Sequence, residues 1–581
     1  MNFRNPTSKY SMLILFFTIL TFFSCAKDSD LFLDAILEEE EVVETDDEIP
    51  TDEPEDDVEE DEEVDPTPDD DSDKDPEIPD VQIPDFGSDA GNSISLAPSN
   101  PNRIIYVAVD GSSNNDGLSQ SSPINIDKAF DSNFVKAGDV FYIKAGKYNY
   151  GSTGGNHYDL SNLPCTPNDP CYWIGYKNTP GDINASQYAT VSWDDYKTGA
   201  QNSDGTHDLD PSDMPTFSGS KSSGKYIDNG SLFYCDGGEQ GFVFRNIQIE
   251  YFRRGFDMRN LSNSIFENVV QANHGWFTEV EGQGGSNTDL QGTGWLIYST
   301  STSSWGSNNI ILNCASYNMA FRGFTIGNSR LTLVAFSEAT SDIDNGNPQD
   351  YYFHTIGKDN LFTNLKANRL VSSNHSGHGI CFNQLSENNI MQDSEIYGTN
   401  IHFDGSIGCY ANNITVIGDN SFGLFEGGGI SMIDGAEYNL IENCTLTNGG
   451  SGVSFSDSGK NPYEEHAGQN NVFRNLNISN KSGAIISLNW WAESDDPCSN
   501  NSFQNCTFSN ASSLFSIART NSNFSIVDCD VSNVAELEVL DDRNGNYILN
   551  SNTQFIDSNF WNSELPSAAR FIVDGLTSIS N

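Results

Sequence analysis

The 581-residue sequence is poor in basic residues. Lys and Arg number 28 against 83 Asp and Glu, which gives a formal net charge of −55 at pH 7. A protein that binds nucleic acid needs a basic surface that displaces counterions from the phosphates. We therefore expect no nucleic-acid partner.

Long apolar runs and paired cysteines are also scarce. The longest apolar run, Met12 to Phe23, lies at the N-terminus and is too short for a membrane-spanning helix. No CxxC pair occurs, which argues against a zinc site. Cys165 and Cys171 are close enough to close a small disulfide loop in an exported protein, and most other cysteines are expected to be buried thiols.

The first 25 residues have the features of a secretory signal peptide. Arg4 and Lys9 precede the apolar run, and Ser24 and Cys25 follow it. Ser24-Cys25 resembles a bacterial lipobox, and "AKDSD" resembles the surface-export signal of lipoproteins in glycan-degrading bacteria of the Bacteroidetes type. The resemblance implies a lipid anchor on Cys25 and an outer-membrane lipoprotein that is surface-exposed or faces the periplasm. The alternative is a plain signal peptide with an incidental cysteine.

The following segment is strongly acidic. Residues 26–90 hold 31 Asp and Glu against two Lys. Such a segment cannot bury a core, so residues 26–100 are predicted to be a disordered tether. A tail that collects Ca²⁺ is the alternative interpretation.

A short pattern recurs from about residue 240. Each copy alternates apolar and polar residues around a central Asn, as in "NLIENCTLTN" and "NVFRNLNISN". The central residues are Asn246, Asn268, Asn313, Asn364, Asn443, Asn475 and Asn505. We expect these side chains to form a ladder at a turn, where each amide bonds the backbone of the next rung. The cysteines that follow three of them are expected to stack inside.

A second short strand follows most copies, as in Gly323-Phe324-Thr325-Ile326. Several strands in each repeat of about 20–30 residues favour a solenoid. The predicted fold is all-β, a right-handed parallel β-helix with caps over residues 101–581, expected to be a monomer. A β-propeller is the alternative, but its blades would be longer and its strands antiparallel.

The start of this region resembles the N-terminal cap of pectin-lyase-like β-helix proteins. The resemblance is carried by "IIYVAVDGSSNNDG" and "NIDKAFDSNFVKAGDVFYIKAGKY". It implies the fold of polysaccharide lyases and related carbohydrate-active enzymes. It does not imply one activity, because the fold serves many functions.

Basic side chains gather in the middle of the repeat region, where five of the eight His lie between residues 274 and 402. Strand alternation places His354 and His402 in the outward slot of the second strand, with His378 at the entrance of the strand between them. The predicted catalytic residues are His402, His378, His354, Arg322, Tyr317 and Asp404. The predicted substrate-binding residues are Arg369, Lys366, His274, Trp276 and Trp305.

These residue types suit β-elimination at a uronic acid. Arg322 or Arg369 would neutralise the carboxylate, His402 or His354 would remove the neighbouring proton, and a tyrosine such as Tyr317 would protonate the leaving oxygen. The expected partner is an anionic poly- or oligosaccharide such as ulvan or alginate, with pectin also compatible. Loss of water from an oligosaccharide end would use the same groups.

Three alternatives remain open from the sequence. A glycoside hydrolase needs two carboxylates, and its candidates are Glu338, Asp342, Asp344, Asp404, Glu426 and Asp434. A glycan-binding protein would use only the aromatic side chains. His375 and His378 could form a metal pair, but no metal site is predicted. No cofactor is certain, although "DIDNGNPQD" loosely resembles a Ca²⁺ loop and is otherwise a solvated turn.

Overall fold

Parallel strands wind the chain into a coil in which each strand pairs with its counterpart one rung further on. The computed structural model describes residues 92–151, 155–185, 187–222, 225–226, 230–275, 292–299, 305–343, 351–372, 377–384, 386–425, 427–456, 467–488, 498–517, 524–540, 554–556 and 577–579. The predicted signal peptide with Cys25, residues 26–91, Trp276, His375, Asp344 and Glu426 lie outside the described residues.

Thirty-seven strands join in one continuous coiled sheet. Its three faces are called sheets 1, 2 and 3 below. Sheet 1 contains the strands Arg103–Val107, Asp139–Lys144, Cys171–Tyr176, Ile310–Leu312, Leu333–Ala335, Leu361–Thr363, Ile390–Gln392, Tyr410–Asn412, Leu440–Glu442, Val472–Arg474, Asn501–Gln504, Phe524–Val527, Gln554–Ile556 and Thr577–Ile579. Sheet 2 contains Gly146–Asn149, Pro215–Ser218, Ala315–Tyr317, Glu338–Ser341, Lys366–Arg369, Glu395–Tyr397, Thr415–Ile417 and Thr445–Thr447.

Sheet 3 carries the candidate site described below. It contains Tyr158–Asp159, Ser231–Asp236, Arg254–Arg259, Thr293–Tyr298, Arg322–Gly327, Tyr351–Thr355, His378–Phe382, Asn400–Asp404, Ile430–Ile433 and Val453–Ser456. The strands Phe242–Glu250 and Ile265–Ala272 run through sheets 1 and 2, and Asn477–Leu488, Thr507–Ile517 and Asp530–Leu540 run through sheets 2 and 3.

Few elements lie outside the coil among the described residues. They are the strand pairs Lys221–Ser222 with Lys225–Tyr226 and Gly306–Ser307 with Ser329–Arg330, the 3₁₀ helices Asp127–Phe130 and Asn420–Phe425, and the α-helix Trp193–Thr198. Within the described part of the chain, no helix is long and apolar enough to span a bilayer. The predicted right-handed parallel β-helix is confirmed, and the β-propeller alternative is wrong because the sheets are parallel.

The core of the coil is built from inward side chains that stack from rung to rung. Phe256, Trp295, Phe324 and Phe353 of sheet 3 follow one another with ring centroids 6.3, 4.2 and 4.7 Å apart. Offset stacking of this kind adds to the burial of apolar area. The cysteines predicted to stack inside, Cys314, Cys444 and Cys506, are indeed buried.

The central Asn of each repeat forms the corner between sheets 1 and 2. All seven have a left-handed backbone, with φ between 51° and 55°, a conformation that Asn tolerates better than other side chains. Their amides bond one another rather than the backbone in three neighbouring pairs, Asn268 to Asn246 at 2.7 Å, Asn475 to Asn443 at 3.0 Å and Asn505 to Asn475 at 2.6 Å. Asn246 also reaches backbone, since its amide donates to the Ile183 carbonyl of the flanking segment at 3.2 Å and lies 3.5 Å from the Gly175 carbonyl of the neighbouring rung.

A second Asn ladder, which the repeat analysis missed, is fully buried between sheets 3 and 1. Its members stand four residues before the repeat corner and are Asn309, Asn360, Asn389, Asn439, Asn471 and Asn501. The Asn471 Oδ1 accepts from both the backbone and the side chain of Asn439 at 3.0 Å, and Asn471 in turn donates to Asn501 Oδ1 at 3.0 Å. Buried polar groups of the corner are thereby satisfied.

Two flanking segments cover the outer faces of sheets 1 and 2 near the N-terminus. Ile94 and Leu96 pack on the outer face of sheet 1, and the Tyr172 hydroxyl donates to Ser95 O. Residues 92–100, which fall within the predicted tether, are among the described residues and include this contact with sheet 1. The segment with helix Trp193–Thr198 covers sheet 2 by packing Tyr196 against Tyr317.

One disulfide occurs among the described residues. Cys165 is bonded to Cys171, as the spacing suggested.

Candidate functional site

The outer face of sheet 3 carries two columns of mostly polar side chains. In the first column, Arg254, Thr293, Arg322, Tyr351, His378 and Asn400 are register partners on successive rungs. In the second, the partners are Asp257, Leu296, Thr325, His354, Cys381 and His402. The spacing between rungs is about 4.8 Å. The columns place three of the predicted histidines and Arg322 on one surface.

The rings of these residues form a continuous run. The Arg322 Cζ lies 4.8 Å from the ring centroid of Tyr351. The Tyr351 ring lies 4.7 Å from that of His354 and 5.3 Å from that of His378, and His378 stacks on His402 at 4.0 Å. The Arg322 guanidinium, the Tyr351 ring and the three imidazoles therefore form one group in which each member contacts the next.

All three imidazoles are buried. His354 is fully buried, and His378 and His402 expose 4% and 5%. Burial lowers the pKa of His378 to about 4, with the Arg369 charge as a second cause. Burial, and then the charges of Arg322 and the other histidines, also hold the pKa of His354 well below its usual range. Desolvation does the same for His402, aided by His378, so the three rings are neutral at neutral pH.

Hydrogen bonds fix part of this arrangement. The Asn383 amide donates to His354 Nε2 at 3.1 Å, which leaves the proton of the neutral ring on Nδ1. The Asp404 Oδ2 stands 4.0 Å from His402 Nε2, and Asp404 is 4% exposed. This carboxylate would stabilise an imidazolium formed at His402.

Arg369 reaches the same region from the end of its sheet 2 strand. Its side chain is 1% exposed, its Nε donates to Val371 O at 3.1 Å, and its Cζ lies 5.4 Å from the Phe422 ring. It is the second permanent cation beside the histidines.

Two predicted residues are not brought to the histidines. Tyr317 lies on the outer face of sheet 2, where its hydroxyl donates to Val191 O at 3.0 Å beneath the covering segment. Lys366 also belongs to sheet 2, between its register partners Glu338 and Glu395, with its Nζ 4.4 Å from the Tyr188 ring centroid. The structure does not bring these two side chains to the histidines, because their strands belong to a different face of the coil.

Two further predicted binding residues, His274 and Trp305, also lie away from the run of histidines. His274 is fully buried, and its ring bonds Phe252 N at 3.2 Å and Gln271 Oε1 at 2.9 Å. Burial lowers its pKa to about 3, so its ring is neutral at neutral pH and shielded from solvent. Trp305 lies at the corner between sheets 3 and 1, where the Lys358 Nζ is 5.6 Å from its ring.

The sequence reasoning missed Tyr351 and Asn383. Tyr351 occupies the same column as Arg322 and His378, whereas its neighbour Tyr352 is buried in the core. The spacing within the strands carried the signal. Arg322, Tyr351 and His378 each stand two residues before an inward residue, and these inward residues are Phe324, Phe353 and Ile380.

Among the carboxylates named for hydrolysis, Asp404 lies next to His402, and Asp434 lies on the following rung. Asp434 directly follows Ile433, the register partner of Asp404, and both carboxylates are 4% exposed. Glu338 is on sheet 2, and Asp342 accepts from Lys197 and Asn318 on the far side of that sheet. Among the described residues no cluster of three or more His, Cys, Asp or Glu could hold a metal ion.

The arrangement can carry out proton transfer beside an anion. Neutral imidazoles accept protons, a tyrosine hydroxyl can donate one, and buried arginines bind a carboxylate in two-pronged fashion. Tyr351 is about one rung from Arg322, His378 about two rungs and His402 about three, or near 14 Å along the axis. Arg322, Tyr351, His354 and His378 are therefore the compact group, and His402 with Asp404 extends it.

Comparisons with known proteins bear only on the fold. No protein-family model and no curated protein matches the sequence. Among solved structures, the chain is similar to a periplasmic alginate epimerase at 8% identity, with a TM-score of 0.36 over 72% of this chain and 76% of that one. It is similar to the catalytic unit of an α-1,3-glucanase from Streptomyces thermodiastaticus at 10% identity (TM-score 0.35, 82% and 72%). A rhamnogalacturonan lyase is 15% identical (TM-score 0.29, 80% and 86%).

Proposed function

We propose that the protein is a carbohydrate-active enzyme that cleaves an anionic, uronic-acid-containing poly- or oligosaccharide by β-elimination on the outer face of sheet 3. The observation that supports this proposal is the run of Arg322, Tyr351, His378 and His402, joined by ring contacts of 4.0 to 5.3 Å. A long coil also suits a polymer, because equivalent side chains recur along its axis. Ulvan and alginate are the first substrates to test.

In this mechanism Arg322 binds the uronate carboxylate and stabilises the charge that develops when the neighbouring proton leaves. A neutral imidazole, His378 in the compact group, accepts that proton. Tyr351 donates a proton to the leaving oxygen. Burial favours the reaction because the charges act in a medium of low polarity.

The experiment is incubation with a panel of uronate polymers while the ultraviolet absorbance of unsaturated uronate is followed. The Tyr351→Phe substitution is expected to lower kcat by about 10²- to 10⁴-fold, the usual contribution of a general acid. The Tyr352→Phe substitution is the matched control, since it removes the neighbouring hydroxyl from the core, and it should retain activity. New reducing ends without absorbance would contradict elimination.

Hydrolysis is a second candidate because of Asp404 and Asp434. Two buried carboxylates on neighbouring rungs have the composition that a glycosidase requires. New reducing ends that disappear in Asp404→Asn and persist in Tyr351→Phe would select this alternative. Binding of the polymer without either product would leave a glycan-binding protein.

A further inference from the structure

A second charged cluster occupies the same face of sheet 3, closer to the N-terminus. It is centred on Arg259, at the end of strand Arg254–Arg259. The Cζ of Arg259 lies 5.5 Å from the ring centroids of both Tyr234 and Tyr298. Cation–π contacts at this range hold a guanidinium in one orientation.

The buried carboxylate of Asp257 lies beside the guanidinium of Arg259. Asp257 is 3% exposed, and its Oδ2 pairs with Arg254 at 2.5 Å and accepts from Ser231 at 3.4 Å. Its Oδ1 accepts no hydrogen bond within the described residues and stands 4.0 Å from Arg259 Nε. The carboxylate thus aims its remaining oxygen at the guanidinium.

At the outer edge of the guanidinium, Asp236 is a weak partner and the one ion-pair partner there among the described residues. Arg259 is 28% exposed, and its Nη1 is 3.5 Å from Asp236, whose side chain is 56% exposed. An exposed ion pair of this length contributes little and is readily exchanged. Another carboxylate or sulfate could replace Asp236 with two parallel hydrogen bonds, the geometry that guanidinium favours.

The cluster lies on the same face of the coil as the histidines. Asp257 is three register steps from His354 in the second column, about 14 Å along the coil axis. Both sites share one face, so a single extended chain could contact them together.

We propose that Arg259, held between Tyr234 and Tyr298, is a binding subsite for an acidic group of the polysaccharide, carboxylate or sulfate, distant from the reacting bond. The proposal rests on the proposed function for the identity of the polymer. It adds that recognition extends over several rungs, so that long substrates bind more tightly than short ones.

The test is calorimetric binding of alginate, polygalacturonate, carboxyl-reduced polygalacturonate and a sulfated galactan to the full chain. Arg259→Gln is expected to weaken binding of the carboxylated polymers about tenfold or more, and Arg259→Lys by less, because Lys keeps the charge without the planar fork. Arg474→Gln is the matched control, since Arg474 is a half-exposed arginine paired with Glu442 on sheet 1, and it should bind as the unaltered protein does. Equal melting temperatures verify folding.

The outcomes are separable from those of the proposed function. An Arg259-dependent affinity without any ultraviolet product supports the subsite and contradicts elimination. Arg259-dependent binding of the sulfated galactan alone identifies sulfate as the acidic group. Affinity within about twofold of the unaltered protein in Arg259→Gln, or no binding of any polymer, overturns the subsite.

Discussion

The pKa of each imidazole at the site is lowered more by burial than by neighbouring charges. His378 contacts Tyr351 and His402 and exposes only 4% of its surface. Its charged form loses most of its hydration, and the buried Arg369 charge adds to the cost. A base of this kind stays neutral under conditions that protonate an ordinary histidine.

This depressed pKa has a consequence for stability. The pKa of His378 falls from 6.5 to about 4 on folding, so the unfolded chain binds a proton between these values and the folded protein does not. Stability is therefore lost as the pH falls from about 6.5 towards 4, by up to about 3 kcal/mol from this group. The free energy of unfolding can be measured with guanidinium at neutral pH and near pH 4.5. Between these two pH values, His378→Asn should lose less of it than the unaltered protein does.

The suitable comparison is Tyr351→Phe, which changes the same site without altering a group that titrates in this range. It should keep the full acid sensitivity. An identical loss of stability in His378→Asn and the unaltered protein would contradict the shift. The acid limb of kcat/KM should likewise lie near pH 4 and not near 6.5 if His378 is the base.

At the scale of elements, two Asn ladders hold the corners of the coil, and they differ in burial. Asn471 is fully buried and bonds both neighbouring rungs, whereas Asn475 makes an exposed amide-to-amide bond. The buried ladder should matter more, because a buried polar group that loses its partner keeps its desolvation cost.

Asn471→Ala is expected to lower the free energy of unfolding by about 2–4 kcal/mol, since several buried partners lose their bonds. Asn475→Gly should cost less, about 1 kcal/mol, because glycine accepts the left-handed φ of 54° and the two lost side-chain bonds, with Asn443 and Asn505, are both exposed. Chemical denaturation of both variants tests the difference. Equal losses would show that burial does not distinguish the ladders.

The sequence predicted the elements better than their relative positions. Period-two alternation correctly placed Phe353 inward and His354 outward, because each rung must bury one side of its strand. It could not place Tyr317 or Lys366, because which of three faces a strand joins depends on how many residues each corner takes. The sequence pattern also could not predict that the histidines are buried. The residues that cover them are distant in sequence, such as Asn383, which bonds His354.

The whole molecule combines a strongly acidic N-terminal segment with a long coil. We propose that Cys25 carries a lipid and that the residues after it connect the coil to an outer membrane. The acidic composition of residues 26–90, with 31 Asp and Glu, supports an extended and soluble connection.

Replacement Cys25→Ser is expected to move the protein from the membrane fraction to the soluble fraction and to abolish incorporation of labelled fatty acid. Both changes follow because a thioether-linked lipid needs the cysteine sulfur. Fractionation with immunoblotting checks the first and metabolic labelling the second. Cys498→Ser, at a buried thiol of the coil, is the control and should leave both unchanged.

The path of residues 92–96 has a consequence for orientation. Asn92 bonds the Asn308 carbonyl and Ile94 and Leu96 pack on sheet 1, so the chain enters along the side of the coil and runs back to the first strand at Arg103. A molecule attached through its N-terminus, as proposed for Cys25, would therefore be held at the side of the coil and not at its end. The point of attachment would then lie on sheet 1, a different face of the coil from sheet 3 and its histidines.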